Sequence, residues 1–262
     1  MGVVRTDKWL LEQYETPLII CKRLKTLLPF ETEELYEYLH KSGMYRPVSG
    51  GKEEVEHLQE NNIWNEIQTE LKHIRKWLRG PDVPIFIFPS DRYNRTIQRE
   101  YGGKSGLAFP NCIFLFVSSH NKIEEIKAVL THEYHHVTRL HALQKKEEEC
   151  TLLDTIIMEG LAEVAVAEWY SEALHAVWVS YYTKQEALWL WRRHLRDNVN
   201  VKRGTKQHEK LLNGGNLYPS MLGYCVGYHV VQDCIANSGL NSRELLTMSA
   251  EDILTLASSF EQ

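Results

Sequence analysis

Apolar positions along the chain recur with two different periods. Over residues 6–80 the spacing is helical. Glu31–Tyr38 reads as one helix, and Val55–Leu78 as another with Leu58, Ile63, Ile67, Leu71, Ile74 and Leu78 on one face. Gly50-Gly51 separates the two, and Gly80-Pro81 closes the second and marks a boundary. The pattern then turns to strands. Val83–Phe88 is a β-branched and aromatic run ended by Pro89. Ser105–Phe109 follows Gly102-Gly103, and Cys112–Val117 follows the turn pair Pro110-Asn111. These predict a small sheet containing a hairpin. An edge strand of such a sheet either pairs with an extended peptide or is simply solvated.

From residue 121 the helical period returns. Asn121 is suited to cap a helix in which Ile123, Ile126, Val129, Leu130, Val137 and Leu140 recur up to about His141. Lys145–Glu149 is a charge run expected in a solvated loop or helix end. Leu153–Trp169 predicts a strongly apolar helix. Tyr181–Arg196 predicts an amphipathic packing helix with Trp189 and Trp191, and Asn213–Asn216 a loop. A long helix starts near Pro219 and runs to about Ala236, and residues 237–262 form a short polar-capped helix. The whole predicts an α+β chain, mainly helical with a small antiparallel or mixed sheet. Residues 1–80 are expected to be a helical region and 81–262 the main domain.

Two polar interruptions of these helices carry chemistry. In Thr131–His136 the motif His-Glu-x-x-His lies in mid-helix. Positions four apart share a helix face, so His132 and His136 can point two imidazoles at one ion. Zinc accepts neutral imidazole nitrogen at about 2.0–2.1 Å. Glu133, turned to the edge of that face, reaches a water rather than the metal, as a metal-assisted hydrolase needs. His135 and His141 fall off the ligand face or a turn beyond it and read as structural. The second interruption is Glu159 and Glu163, four apart on the otherwise apolar helix 153–169. Buried acids need partners. One can be the third zinc ligand, leaving an open fourth position, and the other can hydrogen-bond a ligand histidine.

Composition narrows the class without changing this picture. The 262 residues are 43% hydrophobic and 25% charged, as in an ordinary globular protein. A net charge of −5 argues against nucleic acid as the main partner. Cys21, Cys112, Cys150, Cys225 and Cys234 are odd in number and contain no Cys-x-x-Cys, which points to buried thiols in a reducing compartment. No signal peptide and no membrane-length apolar run is visible, so a soluble cytoplasmic protein is expected.

HEYHH followed by EGLAE resembles the gluzincin type of zinc metallopeptidase, in which a glutamate on the next helix completes the site. Residues from about 80 to 240 resemble the YjaZ-like family of predicted Zn-dependent proteases of bacilli. That resemblance is carried by Gly106-Leu107-Ala108, THEYHH, MEGLAE and Gly223–Tyr228. It implies a zincin-like fold, with the sheet packed on the motif helix. It also implies zinc (Zn2+) held by His132, His136 and Glu159, with Glu133 as general base and Glu163 supporting the ligands. Gly106, Leu107 and Ala108 would hold substrate main chain. The connection from His136 to Glu159 is long for a gluzincin, which keeps Glu163 as the alternative ligand. Amide hydrolysis builds an oxyanion, for which Tyr224, then Tyr228 or His229, are candidate donors against a plain packing role. The expected activity is zinc-dependent hydrolysis of a peptide or protein substrate. The alternative is a zinc-binding chain that holds a peptide or partner without cleaving it.

Overall fold

A computed structural model of the chain describes every residue except Glu147, Glu148, Asn216 and Gln262. The acidic centre of the 145–149 charge run and the last residue of the 213–216 loop therefore lie outside the described residues. The chain is α+β and divides into two compact units, Met1–Val137 and Thr138–Gln262. The Gly80-Pro81 boundary expected from sequence lies inside the first.

The first unit opens with α1 (Thr6–Gln13), α2 (Pro17–Lys22), α3 (Thr32–Ser42), α4 (Gly51–Glu60) and α5 (Ile63–Leu78). The helix expected over Val55–Leu78 is thus two. Its break falls at Asn61-Asn62, where Asn62 takes the left-handed conformation (φ 55°) that asparagine tolerates better than most residues. β1 (Ile85–Pro89), β2 (Ser105–Phe109) and β3 (Cys112–Val117) form a sheet in the order β1-β3-β2, with a short helix, α6 (Arg95–Glu100), before β2. β3 is central, parallel to β1 and antiparallel to β2. The Pro110-Asn111 turn makes the expected hairpin. β1 and β3 are buried throughout, which is why they read as unbroken apolar runs.

The two edges of this sheet differ. On the outer side of β1, the Val4 N–H donates to the Ile85 carbonyl at 2.9 Å, and the Ile85 N–H to the Gly2 carbonyl at 3.1 Å. β2 is half-buried. Among the described residues, the backbone of Gly106, Leu107 and Ala108 bonds only to β3.

α7 (Ile123–Leu143) follows the hairpin. Asn121 does not cap it. Its Oδ1 accepts from the Ser118 N–H at 2.8 Å, and its amide donates to the Gly102 carbonyl at 2.8 Å, so it ties the preceding turn together instead. The Glu125 carboxylate accepts the Lys122 N–H at the helix start. Tyr134, fully buried, donates its hydroxyl to the Pro81 carbonyl at 2.8 Å. That bond fixes the rotation of α7 within its unit.

The second unit is built on α8 (Leu152–Trp169) and α11 (Leu222–Ser238). A capping box between Thr151 and Asp154 starts α8. The helix is then buried on nearly every side, as its apolar composition requires. α8 and α11 cross glycine to glycine. A Cβ on Gly160 would lie 2.5 Å from the Gly227 carbonyl carbon, and one on Gly227 would lie 2.9 Å from that of Ile156. The remaining helices are α9 (Lys184–Leu190), α10 (Lys206–Asn213), α12 (Ala250–Leu256) and α13 (Ser258–Glu261). The helix expected over 181–196 is shorter. It starts at a Thr183–Glu186 capping box, widens into a π turn at Trp191–Leu195 and ends in a 3-10 turn. Buried Asp233 holds the C-terminus by accepting from Lys184 (2.5 Å) and from the Ser259 N–H (2.9 Å).

Arg139 lies one turn past the motif and is 2% exposed. Its guanidinium donates to the carbonyls of Leu245 (3.0 Å), Leu246 (3.1 Å) and Met248 (3.1 Å). Burial lowers its pKa to about 10. It ends the short 3-10 helix Glu244–Thr247 and tethers it to the last turn of α7.

Gly160→Ala and Gly227→Ala each press a methyl group against backbone that has no rotamer to change. Each is expected to cost about 1–3 kcal/mol or more, read as a lowered denaturant midpoint at unchanged slope. A midpoint equal to the parent's would show that the helices separate freely at this crossing.

Candidate metal centre

Helical spacing places the motif side chains as the sequence predicts. The His132 and His136 rings are 4.5 Å apart, centroid to centroid, and nearly perpendicular. His136 is 6% exposed and His132 somewhat more open. Glu159 and Glu163, one turn apart on α8, are 8% and 3% exposed. A ligand atom from each of His132, His136 and Glu159 lies within 4.8 Å of the others. Two imidazoles and one carboxylate suit zinc, which takes N and O ligands at about 2.0–2.2 Å and keeps a position open in catalytic sites. The donor set fits the ion.

Glu163 also meets the segment that follows α8. Its Oε2 accepts the Ala176 backbone N–H at 2.8 Å. It thereby anchors the segment leaving α8, which contains the 3-10 turns Glu172–Leu174 and Val177–Ser180.

Glu133 is 8% exposed and lies directly against β2. A Cβ on Gly106 would be 2.5 Å from Glu133 Oε1 and 2.6 Å from its Cδ. Glycine at 106 is what lets the carboxylate rest on the strand backbone. By strand alternation Ala108 shares that face and Leu107 the opposite one. The structure thus brings Glu133 and the Gly106–Ala108 strand together.

On α11 the candidate donors separate. Tyr224 packs edge-on against Trp178, with ring centroids 5.3 Å apart. Tyr228 is 9% exposed and its hydroxyl accepts from Gln232 at 3.2 Å. Burial first, and the Glu172 and Glu163 charges next, raise the Tyr228 pKa, so it keeps its proton at neutral pH. His229 is committed elsewhere. Its Nε2 lies 2.8 Å from the Tyr182 carbonyl, and burial lowers its pKa, so the neutral ring donates to that carbonyl. This removes it from the candidate donors. His135 is fully buried and His141 exposed, in keeping with structural readings.

His175 lies beside the second of these tyrosines. Its ring stands edge-on to Tyr228 with centroids 5.1 Å apart. It lies in an irregular stretch where no periodicity marks a residue for notice.

An α+β fold with a His2Glu cluster on two helices defines a candidate metal protein. The chain belongs to the family described as "Predicted Zn-dependent protease (DUF2268)", which matches residues 63–255. It is 40% identical over 262 residues to the uncharacterized protein YjaZ of Bacillus subtilis (strain 168), covering 97% of this chain and 98% of that protein. The uncharacterized protein YjfC of the same organism is 20% identical over 236 residues, covering 82% of this chain and 77% of YjfC. No solved structure gives a significant match.

Protein purified without added metal is expected to carry about one zinc per chain, as one His2Glu cluster holds one ion. His132→Ala and Glu159→Ala should both lose it. Zinc retained in Glu159→Ala would make Glu163 the third ligand.

Proposed function

We propose that the chain is a zinc-dependent peptidase of the gluzincin type with a zincin-like fold, His132, His136 and Glu159 holding the metal and Glu133 acting as general base. The observation that carries this reading is the contact between Glu133 and Gly106. It sets the carboxylate of the residue next to His132 against a strand whose backbone at 106–108 bonds, among the described residues, only to β3. An extended peptide adding to β2 would present its main chain at that carboxylate. Gly106, Leu107 and Ala108 would supply the pairing groups.

When bound by His132, His136 and Glu159, zinc would supply Lewis acidity and lower the pKa of a water. Glu133 takes the proton as the water oxygen attacks the scissile carbonyl. It then delivers that proton to the leaving amine as the C–N bond breaks. Glu163 would hydrogen-bond the outer nitrogen of a ligand histidine, and it also anchors the segment after α8. A hydroxyl of α11 donates to the developing oxyanion. Tyr224 is the first candidate, its ring edge-on to Trp178, and Tyr228, buried and protonated, the second.

The buried free thiols of all five cysteines agree with work in a reducing, cytoplasmic compartment. Among the described residues no helix is long and apolar enough to cross a membrane. The competing reading is a chain that binds zinc and peptide without cleavage. It is weakened by Glu133, since a binder has no use for a buried base against its strand.

Glu133→Gln is expected to keep its zinc and lose at least about 10²-fold in kcat. Gly106→Ala should also keep zinc. It should lose about 10²-fold by pushing the carboxylate off the strand, since displacements near 1 Å cost that much. Parent-like turnover in Glu133→Gln would sink the mechanism. Parent-like turnover in Gly106→Ala would sink the role of the strand.

A further inference from the structure

We infer that the second unit carries a docking surface for an anionic membrane, built from Trp189, Leu217 and the arginines around the π turn. The surface lies wholly within Thr138–Gln262, uses none of the metal-site residues and stands independently of the peptidase reading.

The helix that bears Trp189 already has its core face. Ala187, Leu190, Trp191 and Leu195 are buried, and Trp191 gives its indole N–H to the Phe260 carbonyl at 2.8 Å. Trp189 takes no part in that packing and is 62% exposed. Its ring stands edge-on to His194, with centroids 6.1 Å apart, and His194 stands edge-on to Tyr218 at 5.5 Å. Trp189 and His194 are five apart, a spacing that the π turn over Trp191–Leu195 brings together and a plain α turn does not. Next to Tyr218 is Leu217, 82% exposed. The turn that bears it is fixed. Gly215 and Tyr218 exchange backbone hydrogen bonds at 3.1 and 3.2 Å, and the Tyr182 hydroxyl donates to the Ser220 carbonyl at 2.7 Å. The fold thus holds an indole and a leucine out in water, at the two ends of one row of rings.

Charge selects the partner. From Leu188 to Lys206 the chain has six Lys and Arg residues against a single acid, Asp197, in a protein of net charge −5. Arg192 and Arg193, both exposed, lie three and four positions after Trp189 and so beside it on the helix, and exposed Arg196 follows. Clustered cations beside an exposed Trp and Leu suit a layer of anionic lipid headgroups. The arginines meet phosphates there, and the apolar side chains enter the boundary with the acyl chains. A nucleic acid would pair with the arginines and stack on the rings, but it would leave Leu217 in water. A second copy across a two-fold axis would set arginine against arginine. A lipid surface answers the charge and the apolar exposure together.

The test is sedimentation of the full chain, as purified, with two sets of vesicles. One is pure phosphatidylcholine, and the other is equal parts phosphatidylcholine and phosphatidylglycerol. The parent should bind the anionic set at least about 10-fold more tightly, and less tightly as salt is raised. Trp189→Ala and Leu217→Ser should each weaken that binding about 10-fold. Arg192→Gln, Arg193→Gln and Arg196→Gln together should weaken it about 10²-fold. Lys72→Gln with Lys76→Gln, on the separate helix α5, should leave it unchanged. Thermal midpoints should stay with the parent, and Leu217→Ser, at a turn, carries the test if a helix variant does not fold. Equal or absent binding to the two vesicle sets would overturn the inference, as would an equal loss in the α5 variant. So would binding of a single-stranded oligonucleotide with vesicles ignored, which would assign the surface to nucleic acid. A dimer that Trp189→Ala dissolves, with vesicles ignored, would overturn it in favour of a second copy.

Discussion

Two carboxylates buried on one apolar helix set the terms for the rest of this structure. An acid taken out of water is costly unless a charge, a hydrogen-bond donor or a metal meets it. Glu159 and Glu163 sit on α8 at 8% and 3% exposure, in a stretch with almost no other polar side chain. Each has an answer in view. Glu159 belongs to the His132–His136 cluster, and Glu163 accepts a backbone N–H from the segment that follows the helix. The first answer is chemical and the second architectural. Together they make the acidic face of α8 the place where ligand geometry and loop geometry are decided.

Glycine does the corresponding work around it. Gly160 and Gly227 let α8 and α11 touch backbone to backbone, which carries Tyr228 up to the acidic face. Gly106 lets Glu133 lie on β2. In both places the missing methyl is what allows a polar group to be placed. Close packing of this kind leaves little slack, so the site's precision is inherited from the core. Arg139 acts in the same direction, tying the last turn of α7 to the carbonyls of residues 245–248.

Much of this was legible in the sequence because the signals were periodic. The three strands, the motif helix and the α8 helix follow from runs of apolar residues with clear punctuation, and the α+β class follows from them. The His132/His136/Glu159 cluster was legible for the same reason, since spacing on a helix fixes direction. Signals that depend on tertiary context were not. The break at Asn61-Asn62 falls inside an apolar pattern that continues in phase on both sides, so only the left-handed Asn62 reveals it. Asn121 looked like a cap but closes a turn with Ser118 and Gly102. His229 looked like a donor until its carbonyl partner was visible.

The central claim is that this chain hydrolyses peptide bonds with a metal held by its own residues. The most direct measurement is digestion of a broad synthetic peptide library by the parent protein, read by mass spectrometry. It is done as purified, after chelation, and after zinc is returned. The account predicts new peptide termini that vanish with chelator and return with zinc at the same bonds. A zinc-loaded protein that binds peptides from the library and leaves every bond intact would contradict it.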